Sequence, residues 1–213
     1  MSACCPHSIS TGRLFSRLAR RYRRRFERRG LEPSQRQLFD ALERIGFTNS
    51  DVLEVGCGVG QFHQLMLEHG ARRATGIDLA PKMIVEAKGW ALERGLADRS
   101  HYETGDFVQM NLPRFDITIL DKVICCYPDI DVLIDRTVRS TRNVIGLTLP
   151  RYRHLTRFAA AASAPFFKLF CSDFRSYVHD PQLIDKWLVE RGFRCCDEAR
   201  TPIWLTRIYS FTS

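Results

Sequence analysis

The sequence predicts a single α/β domain with a mostly parallel sheet that helices cover on both faces. Its 213 residues are 45% hydrophobic and 26% charged, which supplies one sizeable core and excludes a disordered chain, a collagen or a coiled coil. From residue 51 onward, short apolar segments alternate with helical patterns. This alternation is typical of right-handed β-α-β units.

Five short apolar segments predict the parallel strands, at residues 51–55, 74–78, 99–104, 115–121 and 143–149. The stretches between them predict three helices, at residues 61–69, 81–94 and 132–140. Towards the carboxyl terminus, a helix is predicted at 181–190 with Asp180 as its N-cap, and a hairpin is predicted from strands at 193–199 and 203–211.

The net charge of +8 lies in the first 30 residues, which hold nine arginines against one acid, Glu27, so that the rest of the chain sums to zero. A fourfold spacing of apolar residues within 13–29 predicts one amphipathic helix, with a stripe made of Leu14, Leu18, Tyr22 and Phe26. We expect this helix to dock on the domain. A cap over an active site, a membrane-surface anchor and an RNA-binding arm are the alternatives.

The extension, residues 1–30, therefore precedes one domain, residues 31–213. Gly30 is predicted to end the first helix. Ser34 and Gln37 then have the spacing of a capping box, and apolar residues recur at helical period until Gly46.

Eight cysteines do not form the pattern of a disulfide scaffold or a zinc site. Six stand as adjacent pairs, at 4–5, 125–126 and 195–196, and no C-x-x-C spacing occurs, so no metal is predicted. The longest apolar run, residues 158–167, is too short to span a membrane. We predict a cytoplasmic protein, with the organellar matrix as the alternative because residues 1–26 have the composition of a transit peptide.

A glycine-rich loop follows the first strand. In the string LEVGCGVG, Gly56, Gly58 and Gly60 alternate ahead of a helix, so that a ligand can approach the backbone closely. A dinucleotide site needs G-x-G-x-x-G, but Gln61 occupies the position of the third glycine, and Glu54 adds a carboxylate that is unfavourable beside a pyrophosphate. The pattern therefore favours a cationic ligand over NAD.

Acidic residues end the next three strands, at the edge where the carboxyl ends of parallel strands meet. Asp78, which precedes Leu79, can accept hydrogen bonds from both hydroxyls of a ribose. Asp106 can accept from the exocyclic amine of an adenine while Phe107 packs near the ring. Asp121 is predicted either to face the ligand or to cap its strand.

Taken in order, the motifs LEVGCGVG, GIDL, GDF and FDITILD resemble those of the class I S-adenosylmethionine-dependent methyltransferases over roughly residues 51–150. The resemblance implies a Rossmann-like three-layer sandwich of seven strands, the last antiparallel and inserted between the fifth and sixth. It also implies S-adenosylmethionine as cofactor. The resemblance assigns Glu54, Gly56 and Gly58 to the methionine part, Asp78 to the ribose, and Asp106 with Phe107 to the adenine. The further predicted cofactor-binding residues are Gly60, Leu79 and Asp121.

Shorter strings give a narrower resemblance. DKVICCYPD at 121–129, DFR at 173–175, YVH at 177–179 and the opening pair Cys4–Cys5 look like bacterial proteins distantly similar to magnesium-protoporphyrin O-methyltransferases. Cys125 and Cys126 are interpreted as packing residues, because a nucleophilic thiol for pyrimidine methylation usually follows a proline, whereas Pro128 comes after them.

Two residues are the candidates for contact with the methyl acceptor: Tyr127, just past strand four, and His179, just ahead of the 181–190 helix. Segment 151–178 is rich in arginine and phenylalanine, which predicts either a lid over an anionic, partly apolar acceptor or an ordinary packed helix. The predicted function is in-line methyl transfer to a small-molecule acceptor. An RNA methyltransferase that uses the arginine-rich helix, and a non-catalytic cofactor-binding protein, are the alternatives.

Overall fold

The computed structural model describes residues 6–153 and 176–212, with side chains from residue 10 onward. The helices of these residues are α1 (Pro6–Ser16), α2 (Ala19–Arg29), α3 (Pro33–Ile45), α4 (Gln61–Glu68), α5 (Pro81–Glu93), α6 (Ile130–Ser140) and α7 (Pro181–Val189). The strands are β1 (Asp51–Val55), β2 (Arg73–Asp78), β3 (Ser100–Thr104), β4 (Phe115–Asp121), β5 (Thr141–Pro150), β6 (Phe193–Arg200) and β7 (Trp204–Phe211).

All seven strands form one sheet in the order β3-β2-β1-β4-β5-β7-β6. Strands β1 to β5 are parallel, whereas β7 lies between β5 and β6 and is antiparallel to both. The predicted fold is therefore confirmed. Because the strand order reverses between β1 and β4, a crevice opens at their carboxyl ends, which is where ligands bind in open α/β sheets.

Alternate residues of a strand point to opposite faces of the sheet, and the central strands β1, β4 and β5 are buried on both faces. Val52 of β1 belongs to the core beneath α3 and α4, while Leu53 and Val55 belong to the core beneath α6 and α7. Glu54 therefore points to the same side as Val52, towards α4, even though it is ionisable and only 3% exposed.

The amino-terminal extension consists of two helices, so the prediction of one helix over 13–29 was wrong. Arg17 and Leu18 donate to carbonyl groups three residues earlier, and this turn separates α1 from α2. Both helices contact α5. Gly12 of α1 lies so close to the carbonyl oxygen of Leu79 that a Cβ at this position would overlap it. The structure therefore shows both a turn and a close tertiary contact in the extension, and a fourfold apolar spacing encodes neither.

The capping residue of α3 is Glu32, not Ser34 as predicted. The Glu32 side chain accepts from the backbone of Gln35, whose side chain accepts in return from the Glu32 backbone, and Pro33 occupies the first turn. Ser34 lies inside this turn and is buried.

The other predicted elements are confirmed to within two residues at their ends, and Asp180 caps α7 as predicted. Most of segment 151–178, residues 154–175, lies outside the described residues. Over the described ranges, no helix has the length and apolar character needed to cross a membrane.

Candidate functional site

A cavity of about 360 Å³ lies at the carboxyl ends of β1, β2 and β4, in the crevice that the strand order creates. This volume is within the range of about 300–1,000 Å³ that is usual for small-molecule sites. Helices α1 and α2 contribute lining residues from above, including Phe15, Tyr22 and Phe26. The extension therefore covers the cavity as well as docking on the domain.

The glycine-rich loop forms one wall, and its three glycines have the left-handed backbone that favours this residue. Their φ angles are +65° at Gly56, +55° at Gly58 and +78° at Gly60. A Cβ on Gly56 would overlap Val123, whereas a Cβ on Gly58 would meet nothing within 4 Å. Gly56 and Gly58 line the cavity, but Gly60 is the N-cap of α4 and is not among the described lining residues.

Glu54 lines the cavity from the end of β1, but one of its oxygens is already engaged. Oε2 accepts from the backbone N of His63 at 3.3 Å and contacts His63 Nδ1 at 2.6 Å. His63 Nε2 lies 2.9 Å from the hydroxyl of Tyr102, which also accepts from Gln64. Burial raises the pKa of Glu54, and the hydrogen bonds from His63 oppose that shift. This buried network fixes the Glu54 carboxylate behind the glycine-rich loop.

Asp78, at the end of β2, binds the backbone on both sides of the crevice. Its Oδ2 accepts from Gly58 N and its Oδ1 from Ala80 N, both at 2.8 Å. Each carboxylate oxygen retains a second lone pair that can accept from a ligand hydroxyl. Desolvation raises the pKa of Asp78 to about 6, and the two amides oppose that shift. Leu79 follows and also lines the cavity.

Asp106 and Phe107 lie at the far end of the cavity, after β3. Asp106 caps a single turn of 3₁₀ helix by accepting from Val108 N at 3.2 Å, and Phe107 is buried within that turn. The hydroxyl of Tyr127 lies 3.2 and 3.4 Å from the two oxygens of Asp106. The structure therefore joins Tyr127, predicted on the acceptor side, to the acid predicted at the adenine.

His179 lies behind Tyr127, and the described cavity lining does not include it. Its Nε2 donates to the carbonyl oxygen of Tyr127 at 2.9 Å, and its ring stacks on Tyr177 with centroids 5.9 Å apart. Desolvation lowers the pKa of His179. This position favours support of the Tyr127 backbone, and the predicted contact with the acceptor finds no support in it.

Two buried acceptor atoms of the cavity wall have no hydrogen-bond partner among the described residues: Asp121 Oδ1 and Gln61 Oε1. The Asp121 side chain is only 7% exposed, and its other oxygen accepts from Gln35 Nε2 at 2.8 Å. A buried acceptor without a partner costs about 1–3 kcal/mol. A ligand that brings hydrogen-bond donors to this end of the cavity would satisfy both atoms.

Several lining residues were missed by the sequence analysis, and most of them come from the extension and the start of α3. They are Thr11, Phe15, Arg25, Glu32, Gln35, Lys122 and Trp204. The apolar residues of the extension were the available signal for Phe15, and no such signal marked Trp204 of β7. The charged members had none, because their partners are distant in sequence.

The cysteines near the site do not have the surroundings of nucleophiles. Cys57 is buried, and burial raises its pKa well above the usual value. The sulfur atoms of Cys125 and Cys126 are 3.8 Å apart, and their contact together with desolvation raises the pKa of Cys126. Within the part of the chain that the structure describes, no group of His, Cys, Asp and Glu could hold a metal ion.

Residues 52–144 match the family described as "Methyltransferase domain". The chain is 27% identical over 162 residues to "Ubiquinone biosynthesis O-methyltransferase" of Pseudomonas aeruginosa (strain UCBPP-PA14). The aligned residues make up 73% of this chain and 69% of that protein. It is also 32% identical over 91 residues to "Sterol 24-C-methyltransferase" of Eremothecium gossypii, covering 41% of this chain and 24% of that protein.

Solved structures share the fold. Magnesium protoporphyrin IX methyltransferase (ChlM) from Synechocystis PCC 6803, with bound SAH, superposes with a TM-score of 0.71 at 18% identity, covering 93% of this chain and 98% of that one. Burkholderia thailandensis 1,6-didemethyltoxoflavin-N1-methyltransferase superposes with a TM-score of 0.69 at 17% identity, covering 100% and 93%. The family match covers residues 52–144, and the seven-stranded sheet is the fold of these solved methyltransferases.

Proposed function

We propose that this protein transfers the methyl group of S-adenosylmethionine to an oxygen atom of a small, partly apolar acceptor that is bound in the described cavity. The relatives named above include an O-methyltransferase, which supports oxygen as the acceptor atom. One observation carries the small-molecule class. The glycine-rich loop and the aromatic side chains of Phe15, Tyr22, Phe26 and Trp204 all line the cavity, and so it presents polar and apolar walls together.

The residues at the strand ends fit this cofactor in the proposal. Asp78 accepts from the ribose hydroxyls, and Phe107 with Asp106 lies at the adenine. Gly58 leaves open space beside the backbone for the methionine part. The unpartnered oxygen of Asp121 suits the α-ammonium group, because that group brings donors to a buried acceptor.

S-adenosylmethionine supplies a methyl group on a sulfonium, which leaves as a neutral thioether. The protein therefore needs mainly to align the acceptor and to exclude water. The paired helices α1 and α2 perform that exclusion in the proposal. They are held on the body by contacts of Arg23 with Glu86 and Glu93 and by the edge-to-face packing of Phe26 on Trp90, with centroids 5.4 Å apart.

Calorimetry with S-adenosylmethionine tests the cofactor site. We expect binding in the micromolar range, abolished by Asp78→Ala and retained by Asp98→Ala, which removes an exposed carboxylate outside the cavity lining. The absence of binding by the intact protein would refute the proposal.

Incubation with a methyl-labelled cofactor and fractionated lysate then tests the acceptor class. Label in small molecules, attached through oxygen, supports the proposal, whereas label in RNA supports an RNA methyltransferase. One observation favours that second candidate: Arg21, Arg24 and Arg28 are exposed on α2 and form no ion pair among the described residues. If RNA is the partner, its affinity falls steeply with salt and is lost on replacing these three arginines with glutamine.

A further inference from the structure

Lys122 stands out among the residues that line the cavity, because its backbone is unfavourable for any residue other than glycine. Its φ is +60°, and the only other non-glycine residue with positive φ over the described ranges is Asn49. A lysine in this region is uncommon, and such conformations concentrate at functional sites. The conformation directs the chain out of β4 and brings Val123 against Gly56 of the glycine-rich loop.

The Lys122 ammonium lies at the cavity wall in a largely enclosed position, with its side chain 20% exposed. Nζ donates to Glu32 Oε2 at 2.6 Å, lies 3.9 Å from Asp121 Oδ2, and stands 5.4 Å from the centroid of the Trp204 ring. Arg25 also pairs with Glu32. One carboxylate of α3 is therefore shared by two cations that both line the cavity.

Lys122 and Arg25 are the two basic residues among the described residues of the cavity lining, and they are the groups there that can attract an anion. Arg25 and Lys122 balance Glu32 and Asp121, so the four side chains are neutral together. S-adenosylmethionine carries a sulfonium, an ammonium and a carboxylate, which adds one net positive charge to the cavity. An acceptor bound as an oxyanion would be attracted to the Lys122 ammonium, and the low dielectric of an enclosed site strengthens that attraction.

We propose that Lys122 binds the reacting oxygen of the acceptor and holds it as an oxyanion beside the Trp204 ring. Glu32 then gives up its ion pair with Lys122 and keeps the one with Arg25. This assignment rests on the proposed O-methyl transfer. The acceptor chemistry that it implies is an acidic hydroxyl, phenolic or enolic, on an apolar ring. Trp204 and Tyr22 supply the aromatic surfaces beside it.

The reaction then balances without a general base. The acceptor hydroxyl loses its proton to bulk water when it binds beside the ammonium. In the transfer, a carbon–oxygen bond forms as the carbon–sulfur bond breaks, and the sulfonium takes up the electron pair as a thioether. Lys122 keeps its proton throughout and holds the oxygen in line.

The ionisable groups that face Lys122 are Glu32 from α3, Arg25 from α2, and Asp121 and Cys125 from its own segment. Desolvation lowers the pKa of Lys122, and the carboxylate of Asp121 opposes that shift. A bound oxyanion would have the same effect as Asp121, and so it would keep Lys122 charged.

The probe for this assignment is 4-nitrophenol, whose ionised form absorbs visible light and whose neutral form does not. Its apparent pKa is measured by absorbance in complex with the protein saturated with S-adenosylhomocysteine. A cation within about 4–6 Å lowers the pKa of an acid by one or more units, so we expect the bound phenol to ionise about one pH unit lower than in solution. Lys122→Met should remove this shift, and Lys122→Arg should retain it.

Two further variants separate acceptor binding from a purely structural ion pair. Glu32→Gln removes the competing carboxylate but leaves Lys122, so we expect it to retain or enlarge the shift. Lys88→Met removes an exposed lysine of α5 and should leave the shift unchanged. Calorimetry of S-adenosylhomocysteine on the same samples shows whether the cofactor site is intact.

Three results would overturn the assignment: no binding of the phenol to the cofactor-loaded protein, a shift that survives Lys122→Met, or loss of the shift in Glu32→Gln as in Lys122→Met. Failure of the proposed function itself would look different, because the wild-type protein would then not bind S-adenosylhomocysteine.

Discussion

Replacing Gly56 with alanine should destabilise the protein more than replacing Gly58, although the two residues have nearly the same backbone conformation. Their φ angles are +65° and +55°, and a left-handed alanine costs about 1–2 kcal/mol at either position. Only the Gly56 variant adds a clash, because its Cβ would overlap Cγ2 of Val123. Valine is stiff about χ1, and forced overpacking costs about 1–3 kcal/mol more.

Urea unfolding of the two variants and the wild type measures this difference directly. We expect Gly56→Ala to lose about 2–5 kcal/mol and Gly58→Ala about 1–2 kcal/mol, with a further loss of cofactor affinity in Gly58→Ala because its new methyl group enters the cavity. For a chain of this length, each kcal/mol corresponds to about 2–4 °C in Tm. Equal destabilisation by both substitutions would refute the close approach of Val123 to the loop.

Three further predictions concern Asp78 in the cavity wall and two contacts of the elements around the cavity. Desolvation raises the pKa of Asp78 from an ordinary 3.8 to about 6, so the protonated carboxyl stabilises the folded protein at low pH. As pH rises from 4 to 6.5, the free energy of unfolding should fall by up to about 3 kcal/mol. Asp78→Asn should remove that part of the pH dependence when urea unfolding is measured across this pH range. Gly12→Ala should displace α1 from the domain and weaken the binding of S-adenosylhomocysteine in calorimetry. Gly89→Ala is the control: its added Cβ would have no atom within 4 Å, and it should stabilise the protein by roughly 0.5–1 kcal/mol. Equal effects of the two substitutions would contradict the docking of α1. Tyr102→Phe should cost about 1–3 kcal/mol in urea unfolding because it leaves His63 Nε2 without its partner, and a neutral result would show that the buried network is not formed.

The sheet and the strand-end residues could be predicted because their signals are local. Short apolar segments followed by glycine or aspartate specify both a strand and the edge at which its end lies, and Gly56 to Gly60 specify a turn with positive φ. Their order along the chain, together with a parallel sheet, then brings Glu54, Asp78 and Asp121 to one edge without further information.

The features that escaped prediction depend on partners far away in the sequence. The turn at Arg17 and Leu18 accompanies the packing of Gly12 on Leu79, and the fourfold apolar stripe is the same with or without that turn. Glu32 and Lys122 are 90 positions apart, so no local sequence pattern predicts the contact between them.

Tyr127 was predicted near the right place but with a different neighbour. Its position just past β4 put it at the cavity, and it does line the cavity. Its hydroxyl, however, contacts Asp106, at the end of a strand that lies three positions away in the sheet. The sequence indicates where β4 ends, but it does not indicate in which direction the Tyr127 side chain points from the loop that follows.

A crystal structure of the protein with S-adenosylhomocysteine tests the central claim most directly. The account predicts that the ribose hydroxyls lie within about 3 Å of the Asp78 carboxylate, with the adenine beside Phe107 and the amino group at Asp121. A ligand bound outside this crevice, or a ribose that makes no contact with Asp78, would contradict it.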